Sequence, residues 1–298
     1  MRYFIKLSHL KIENANAMSS PITIGFPAMT AWLGAVHFIE RQLRACYKDI
    51  SLKNLGISCH NLDLQTYKGD GDFIQFIAGT CNPLEQDGSR PSFIPAPRCH
   101  LDVSLIIEFN NIDIDSNTLI EKVKNIIYAM KIASGDVISL RDCNILLFDE
   151  DEDEDKSIKP IITALMPGNV LVDRSDLLKN AMNEVNKDSF DALGVILDYI
   201  KITSKSTECQ ESGNVIWSSQ RKESGWIVPI SIGFHGISNL GPAQEQRDQS
   251  VAHRFAESVI TLGQFIMPYH IKHIDQILWT YDTDLTSNLY LCKNEFIK

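Results

Sequence analysis

The sequence predicts an α+β fold, and three observations carry this prediction. Tyr3–Ile12 alternates apolar and polar side chains, which is typical of a strand with one buried face. Ala28–Cys46 and Asn117–Ala133 instead repeat their apolar residues with the spacing of an amphipathic helix. Cys99–Phe109 is the strongest strand candidate in the chain. Strands and helices are therefore mixed in the first half.

The order of these elements narrows the prediction. Gly56–Tyr67 and Asp72–Ala78 indicate a hairpin around a Gly-rich turn. The order strand, helix, hairpin, strand, helix needs one more strand, at Ile145–Phe148 or Asn169–Val172, to complete an RRM-like (ferredoxin-like) βαββαβ core. We expect the second half to be more helical, with a strand at Trp226–Phe234 among helices at Arg174–Val185, Ser189–Ile200 and Val251–Pro268.

Composition shifts divide the chain into three predicted parts. Residues 1–148 form the core, and they include an irregular excursion rich in Pro, Gly, Asn and Ser at Thr80–Pro97. Residues 149–160 form an acidic loop, because Asp149–Asp155 is an unbroken run of seven carboxylates. Residues 161–298 form a C-terminal part packed on the core. The acidic run supplies most of the formal net charge of −10, so net charge says little about the rest of the surface.

The sequence lacks the motifs that are typical of several classes of function. The seven cysteines are scattered singly, which argues against a disulfide scaffold and a Cys-type zinc site. There is no Walker, dinucleotide or nucleophile-elbow motif, and the histidines do not form a metal-binding spacing. No apolar run spans a bilayer, and the first residues do not form a secretory signal. We expect a cytoplasmic protein that is not an enzyme and needs no cofactor or metal.

The stretch Asn14–Pro27 is the strongest candidate for function. It consists of short polar and turn-forming residues placed between a strand and a helix. Side chains and backbone amides of this kind suit close contact with a phosphate backbone and are a poor choice for a core. In the helix that follows, His37 and Arg41 lie on the face opposite the apolar one. This face indicates either a phosphate-tracking surface or an ordinary solvated helix face.

Further candidates lie outside this stretch. Arg98 stands where the strongest strand leaves the irregular excursion. In the second half, Phe234 could stack on a base, and Arg221 and Arg254 could contact phosphates.

Several segments together resemble one family. Asn14–Pro27, followed by Thr30–His37, closely resembles the signature NANAxSSPxTxGFP … AFxGxVHA of the type I-F CRISPR-associated Csy-complex (Cascade) subunit of the Cas-five type, the "Csy-two" family. Further matching blocks follow in the same order and extend the resemblance over nearly the whole chain: Asn82–Ser89, Arg98–Leu105, Leu165–Gly168, Gly225–Ile230, Gly233–Phe234 and Arg254–Glu257.

The resemblance implies a non-catalytic RNA-binding subunit with an RRM-like core and an inserted β-hairpin thumb. Its expected partners are the 5′ handle of the CRISPR RNA, the large subunit of the Csy complex, an adjacent backbone subunit and, through the complex, target DNA; no membrane is involved. The thumb would lie at about 80–97. The implied RNA-binding residues are Asn14, Asn16, Ser19, Ser20, Gly25, His37, Arg41, Arg98, Arg221, Phe234 and Arg254.

Two other functions stay open at this point. One is a metal-independent endoribonuclease that processes CRISPR repeat RNA, and it requires an acid–base pair, for which His37 and His100 are candidates. The other is a stand-alone RRM-like RNA-binding module. The chain departs from the family pattern before Leu165–Gly168, where it is acidic and a basic segment is expected, so no phosphate contact is assigned to residues 149–164.

Overall fold

The computed structural model describes residues 1–78, 84–90, 96–110, 114–151, 153–184, 191–208, 215–246 and 248–294. The strands are β1 Arg2–Asn16, β2 Met18–Ser20, β3 Thr23–Ile24, β4 Leu52–Leu64, β5 Thr66–Tyr67, β6 Phe76–Ile77, β7 Arg98–Phe109, β8 Lys131–Ile132, β9 Gly135–Phe148, β10 Asn169–Asp173, β11 Thr203–Glu208, β12 Val215–Gln220, β13 Trp226–Gly236, β14 Ala256–Ile266, β15 Trp279–Asp284 and β16 Leu289–Asn294. The helices are α1 Met29–Arg44, α2 Ser116–Ala129, α3 Glu154–Leu165, α4 Ser175–Glu184 and α5 Ala192–Ile200, with 3₁₀ turns at Pro268–His270 and Ile274–Ile277.

One antiparallel sheet of ten strands organises the molecule. Its order is β10-β14-β13-β16-β15-β4-β7-β1-β9-β8. Because β10 also pairs with β4, the six strands β10, β14, β13, β16, β15 and β4 close on themselves into a ring. Three short two-stranded pairings, β2–β3, β5–β6 and β11–β12, stand apart from this sheet. Strand β4 therefore joins the N-terminal strands to the C-terminal ones.

The predicted fold class is wrong. The strands β4, β7, β1 and β9 do lie side by side, but they are not a separate RRM-like core, because the same sheet continues through β4 into the second half of the chain. That half is not mainly helical either, since it contributes five of the ten strands. The protein is better described as a large antiparallel sheet covered by short helices.

The helix predicted at Val251–Pro268 is the clearest error. Most of this segment forms strand β14, which pairs with β13 over nearly its whole length and with β10 at its end. Its core, Ser258–Ile266, is rich in β-branched and aromatic residues, which favour a pleated surface over a helix. Two neighbouring strands satisfy its backbone groups, so pairing between distant segments decided the conformation.

The boundaries of the other predicted elements differ less from those in the structure. The predicted loop 13–27 is partly ordered as the end of β1 and the β2–β3 pair. The strand predicted at Asp72–Ala78 shortens to β6, and the acidic run ends inside α3. Of the predicted thumb at 80–97, residues 80–83 and 91–95 lie outside the described residues, and residues 84–90 contain a turn closed by Glu85 and Ser89. The division into 1–148, 149–160 and 161–298 stays a prediction.

The core lies on both faces of the sheet. Helices α1 and α2 pack on the face that carries Ile5, Leu7 and Leu105. Trp32 of α1 is completely buried in this part of the core. Helix α3 packs on the opposite face against Phe4, because side chains alternate between the faces of a strand. None of the helices in the described ranges is long and apolar enough to cross a membrane.

Candidate nucleic-acid interface

The end of β1 turns sharply into the polar loop. A register shift lies between Ile12 and Ala15, and Asn14 within it has a φ of +55°. Asparagine tolerates this left-handed region better than most residues. Two residues on, the Asn16 amide donates to the carbonyl oxygen of Met18 and accepts from its N–H, each at 3.1 Å. The Asn16 side chain therefore shapes the loop.

Hydroxyl groups and a glycine close the rest of this loop. The Thr23 hydroxyl lies 2.8 Å from that of Ser19 and 2.6 Å from that of Ser20. Ser20 is buried, and its oxygen also accepts from the N–H of Ile22. Gly25 adopts a φ of +151° and donates its N–H to the carbonyl of Ala17. Ser20 and Gly25 thus fix the path of the backbone, and Ser19 remains at the surface of the loop.

Helix α1 begins directly after this loop. Its N-cap residue is Ala28, whose side chain offers no hydrogen bond, and its first turn contains no acidic residue. The first N–H groups of a helix lack intrahelical partners and carry a partial positive charge, so this end attracts anions. The sequence thus leaves the helix N-terminus without the carboxylate or hydroxyl cap that would compete with a phosphate.

A cleft of about 500 Å³ opens at this helix end. One wall comes from the loop and α1, and the other from the aromatic side chains of Phe234, Tyr281 and Tyr290. The two tyrosine rings lie 5.0 Å apart, and the Tyr281 hydroxyl donates to the carbonyl of Thr30 in the first turn of α1. The lining residues are Asn16, Met18, Ser19, Pro27, Ala28, Thr30, Ala31, Ala133, Ser134, Phe234, Tyr281 and Tyr290, and none of them is acidic.

The rings of the cleft are suited to stacking. Phe234 is 41% exposed and Tyr290 is 38% exposed, so each presents part of its ring to solvent. Burial raises the pKa of Tyr281 well above its ordinary value and also raises the pKa of Tyr290. Both phenols are therefore uncharged at neutral pH and would not repel a phosphate.

A strained turn forms the floor beside the loop. Ala133 and Ser134 connect β8 to β9 with φ values of +49° and +66°. Two consecutive left-handed residues define a type I′ hairpin turn, which usually contains Asn or Gly. The carbonyl of Ala133 accepts from the N–H of Asn16 at 2.7 Å, so the turn and the end of β1 are held together.

Arg98 lies beside the cleft rather than in it. It is the pairing partner of Asn16 in the β1–β7 register, and its Nη1 donates to the carbonyl of Asn14 at 3.2 Å. The N–H of Asn14 donates in turn to Nδ1 of His100. The structure thus brings Asn14, Asn16 and Arg98 together, as expected if they serve one site.

His37 and Arg41 continue along α1. His37 lines a second hollow of about 230 Å³ that shares Tyr281 and Tyr290 with the cleft. Arg41 follows one turn later, with its guanidinium 5.8 Å from the ring centre of Phe38. Both residues therefore extend the surface that begins at the cleft.

Two predicted residues lie elsewhere. Arg221 precedes β13 at the end opposite Phe234, and strand geometry separates Trp226 from Phe234 by about 26 Å. Arg254 is packed against Gly236, and its guanidinium donates to Asn288. Neither arginine lines the cleft. Tyr281 and Tyr290 could not be identified from the sequence, because they reach the cleft through strand pairing and carry no local motif.

The chain is similar to known proteins over nearly its whole length. The model of the family described as CRISPR-associated protein (Cas_Csy2) matches residues 5–292. The chain is 30% identical over 307 aligned positions to the CRISPR-associated protein Csy2 of Pseudomonas aeruginosa (strain UCBPP-PA14), and the alignment covers 95% of this chain and 93% of that protein.

These matches place the chain among the CRISPR-associated proteins. More narrowly, it belongs to the type I-F Csy2 family. The family predicted from the sequence motifs is therefore confirmed.

Proposed function

We propose that this chain is a non-catalytic, cytoplasmic subunit of the type I-F Csy complex and that it holds the 5′ handle of the CRISPR RNA. The family membership supports a role in that complex. The cleft at the start of α1 supports the RNA-binding part of the proposal. A single-stranded RNA needs phosphate contacts for position and flat surfaces on which unpaired bases can stack.

The observation that carries the proposal is the composition of the cleft. It combines an uncapped helix N-terminus with three aromatic rings and no carboxylate, in a protein of net charge −10. A phosphate would lie at the N–H groups of Thr30 and its neighbours, and the adjoining base would stack on Tyr290 or Phe234. Arg98 would neutralise a neighbouring phosphate.

Exposed apolar residues beside the cleft support a contact with a partner subunit. Met18, Ile22 and Ile24 on the loop are 43%, 63% and 50% exposed, and they lie next to the cleft. Exposed apolar side chains of this kind are typical of a protein–protein contact. We propose that the large subunit of the complex covers this loop and completes the RNA channel. The adjacent backbone subunit and target DNA would then be reached through the assembled complex.

The test measures the affinity of a labelled 5′-handle RNA for this chain purified together with the large subunit. Tyr290→Ala removes a stacking surface, and we expect it to weaken binding by about 1–3 kcal/mol. Tyr290→Phe keeps the ring and should bind nearly as well as the wild type. Tyr269→Ala serves as the matched control, since Tyr269 is 57% exposed but does not line the cleft.

Three outcomes would contradict the proposal. Equal loss in Tyr269→Ala and Tyr290→Ala would show that the cleft has no special part in binding. Tight handle binding without the large subunit would indicate a stand-alone RNA-binding module. Cleavage of repeat RNA that is lost in His37→Ala or His100→Ala would indicate an endoribonuclease.

A further inference from the structure

Strand β9 has an open edge on the side that faces away from β1. On that side it pairs with β8 at Gly135 and Asp136, and no strand in the described ranges pairs with it from Ile138 to Phe148. At about 3.3 Å per residue, this stretch is about 30 Å long. Soluble proteins usually blunt or cover an edge of this length, because its backbone groups can pair with another chain.

A tyrosine shows which backbone groups point out of this edge. The N–H of Leu140 donates to the hydroxyl of Tyr128 at 3.1 Å, so this N–H points away from β1. The register of β9 with β1 is unbroken from Leu140 to Phe148, and successive residues of a strand turn their backbone groups to opposite sides. The N–H and C=O groups of Asn144 and Leu146 therefore also point outwards. Neither residue has a backbone partner on that side in the described part of the chain.

An apolar groove lies beside the same stretch. It has a volume of about 540 Å³ and separates β9 from the start of α2. Its lining includes Ile145 and Leu147 of β9, Leu119 and Ile120 of α2, and Tyr3 of β1. The Leu147 side chain is 52% exposed. A strand added at the edge of β9 would point alternate side chains into this groove.

The second half of the open edge lacks the usual protection against pairing. Charged side chains and proline are common guards of such edges. Arg141 and Asp142 supply charge near the middle of β9, but Asn144–Phe148 contains neither a charged residue nor a proline. Four of these five residues are apolar. This part of the edge is therefore suited to being covered by another strand.

The acidic run begins where this edge ends. Asp149–Asp155 follows Phe148 directly in the sequence. A hollow of about 240 Å³ opens at this point of the surface. Its lining residues are Arg2, Phe148, Asp149, Glu150, Glu154, Ile274 and Asp275. Carboxylates therefore outnumber cations in this lining by four to one.

Two cations near this hollow already have partners. Arg2 bonds to Glu108 and Asp275, and the ammonium group of Met1 lies 3.4 Å from Glu150. The end of the edge therefore keeps a negative potential. Such a potential attracts a cationic partner and repels the phosphates of an RNA. The charge at this edge thus favours a protein over a nucleic acid as its partner.

We propose that the open edge of β9 binds an extended segment of a partner protein, which joins the sheet as an additional strand. The backbone of this segment pairs with Asn144 and Leu146, its alternate apolar side chains fill the groove, and a Lys or Arg at one end reaches the acidic hollow. The cleft adjoins the first residue of β9, and Phe148 lies about 40 Å farther along the strand. Binding at this edge is therefore independent of the function proposed for the cleft.

The experiment measures the affinity of a fluorescein-labelled peptide for the tag-free full chain by fluorescence anisotropy. The peptide alternates valine with threonine and ends in lysines. The matched probe ends in glutamates instead. We expect the lysine peptide to bind saturably and the glutamate peptide to bind about 10-fold more weakly, because like charges repel at the acidic hollow.

Hydrogen exchange followed by mass spectrometry locates the bound peptide. When the chain is saturated with the lysine peptide, about half of the amides in residues 142–148 should exchange about 10-fold more slowly. The other half already bond to β1 and should change little. This pattern distinguishes pairing at the edge from adsorption elsewhere on the surface.

Two pairs of variants test the backbone contact and the groove separately. Asn144→Pro removes an outward N–H at an edge position, where proline is tolerated, and should weaken peptide binding about 10-fold. Asn144→Ala loses the same side chain but keeps the N–H, so it should bind as the wild type does. Leu147→Ser should also weaken binding about 10-fold. Its control is Ile138→Ser, because Ile138 is equally exposed at 52% but does not line the groove.

Three results would overturn the proposal. The first is the absence of saturable binding of the lysine peptide to the folded wild type. The second is that Asn144→Pro and Leu147→Ser bind as tightly as their controls. The third is that single-stranded RNA, or self-association of the chain, protects the amides of residues 142–148 and the peptide does not, because the edge would then have a different occupant.

Discussion

Arg98 donates a hydrogen bond from Nη1 to the backbone carbonyl oxygen of Asn14, so the first residue of β7 holds the bulged end of β1. Among the described residues no other hydrogen bond of the Arg98 side chain is seen, so its remaining guanidinium nitrogens can contact a phosphate. Arg98 therefore holds the end of β1 in place and also presents a positive charge that an RNA phosphate can bind.

The first prediction concerns this arginine. Arg98→Ala should weaken handle binding by the assembled complex and reduce the slope of log K against log salt concentration by about 1. The measurement is an affinity series over several salt concentrations. Lys48→Ala is the control, because it removes one positive charge beyond the far end of α1, about 24 Å from Ala28. An unchanged slope in Arg98→Ala would rule out a phosphate contact.

The second prediction compares two buried tryptophans. Trp279 donates its indole N–H to the carbonyl of Leu171 at 2.9 Å, whereas the indole nitrogen of Trp32 has no hydrogen-bond partner among the residues that the structure describes. Both side chains are fully buried. Trp279→Phe leaves a buried carbonyl unpaired and should cost about 1–3 kcal/mol more than Trp32→Phe. Urea unfolding of both variants gives the comparison, and equal losses would contradict it.

The third prediction concerns the loop glycine. Gly25→Ala places a Cβ at a φ of +151°, where L residues are strained even though space is available. We expect it to lower the free energy of unfolding by about 1–3 kcal/mol. Gly241→Ala is the matched control, because that glycine also has open space around its Cβ position but no positive φ. Similar stability of the two variants would show that the loop can relax.

The fourth prediction is a pH dependence. Burial alone would raise the pKa of Glu108. The hydrogen bonds from Arg2 and Asn54 lower this pKa by more than burial raises it, so the pKa lies below its ordinary value. The unfolded chain therefore takes up this proton at a higher pH than the folded chain does. The stabilisation is complete above the ordinary glutamate pKa of about 4.3 and is lost as the pH falls through the lower folded value.

Glu108→Gln should therefore lower stability by about 1–3 kcal/mol at pH 7 and by much less near pH 3. Urea midpoints at the two pH values provide the measurement. Asp136→Asn breaks the exposed pair with Lys131 and should change stability little at either pH. A loss that is the same at both pH values would contradict the assigned pKa direction.

Local patterns predicted the elements that local forces determine. The spacing of apolar residues in α1 and α2, and the alternation in β1, gave these elements to within a few residues. The contiguous polar loop likewise predicted Asn16 and Ser19 as neighbours of one site. Each of these depends on residues close together in sequence.

Contacts between distant segments could not be predicted in this way. Tyr281 reaches Thr30, 251 positions away, only because β15 joins β4 and β16. His9 likewise meets Asp102 and His60 only through the registers of three strands and two bulges. A single sequence does not specify these registers, because apolar alternation is satisfied by many pairings.

Strand β4 has a consequence for synthesis of the chain. It is complete at residue 64, but part of one edge has no pairing partner until Asn169 and Trp279 have been synthesised. At about 5–20 residues per second, the interval between residues 64 and 279 is roughly 10–40 s. During that time the exposed edge can pair with other chains, as open edges do. We therefore expect the growing polypeptide to need protection of this edge, such as a chaperone gives, until its last strands leave the ribosome.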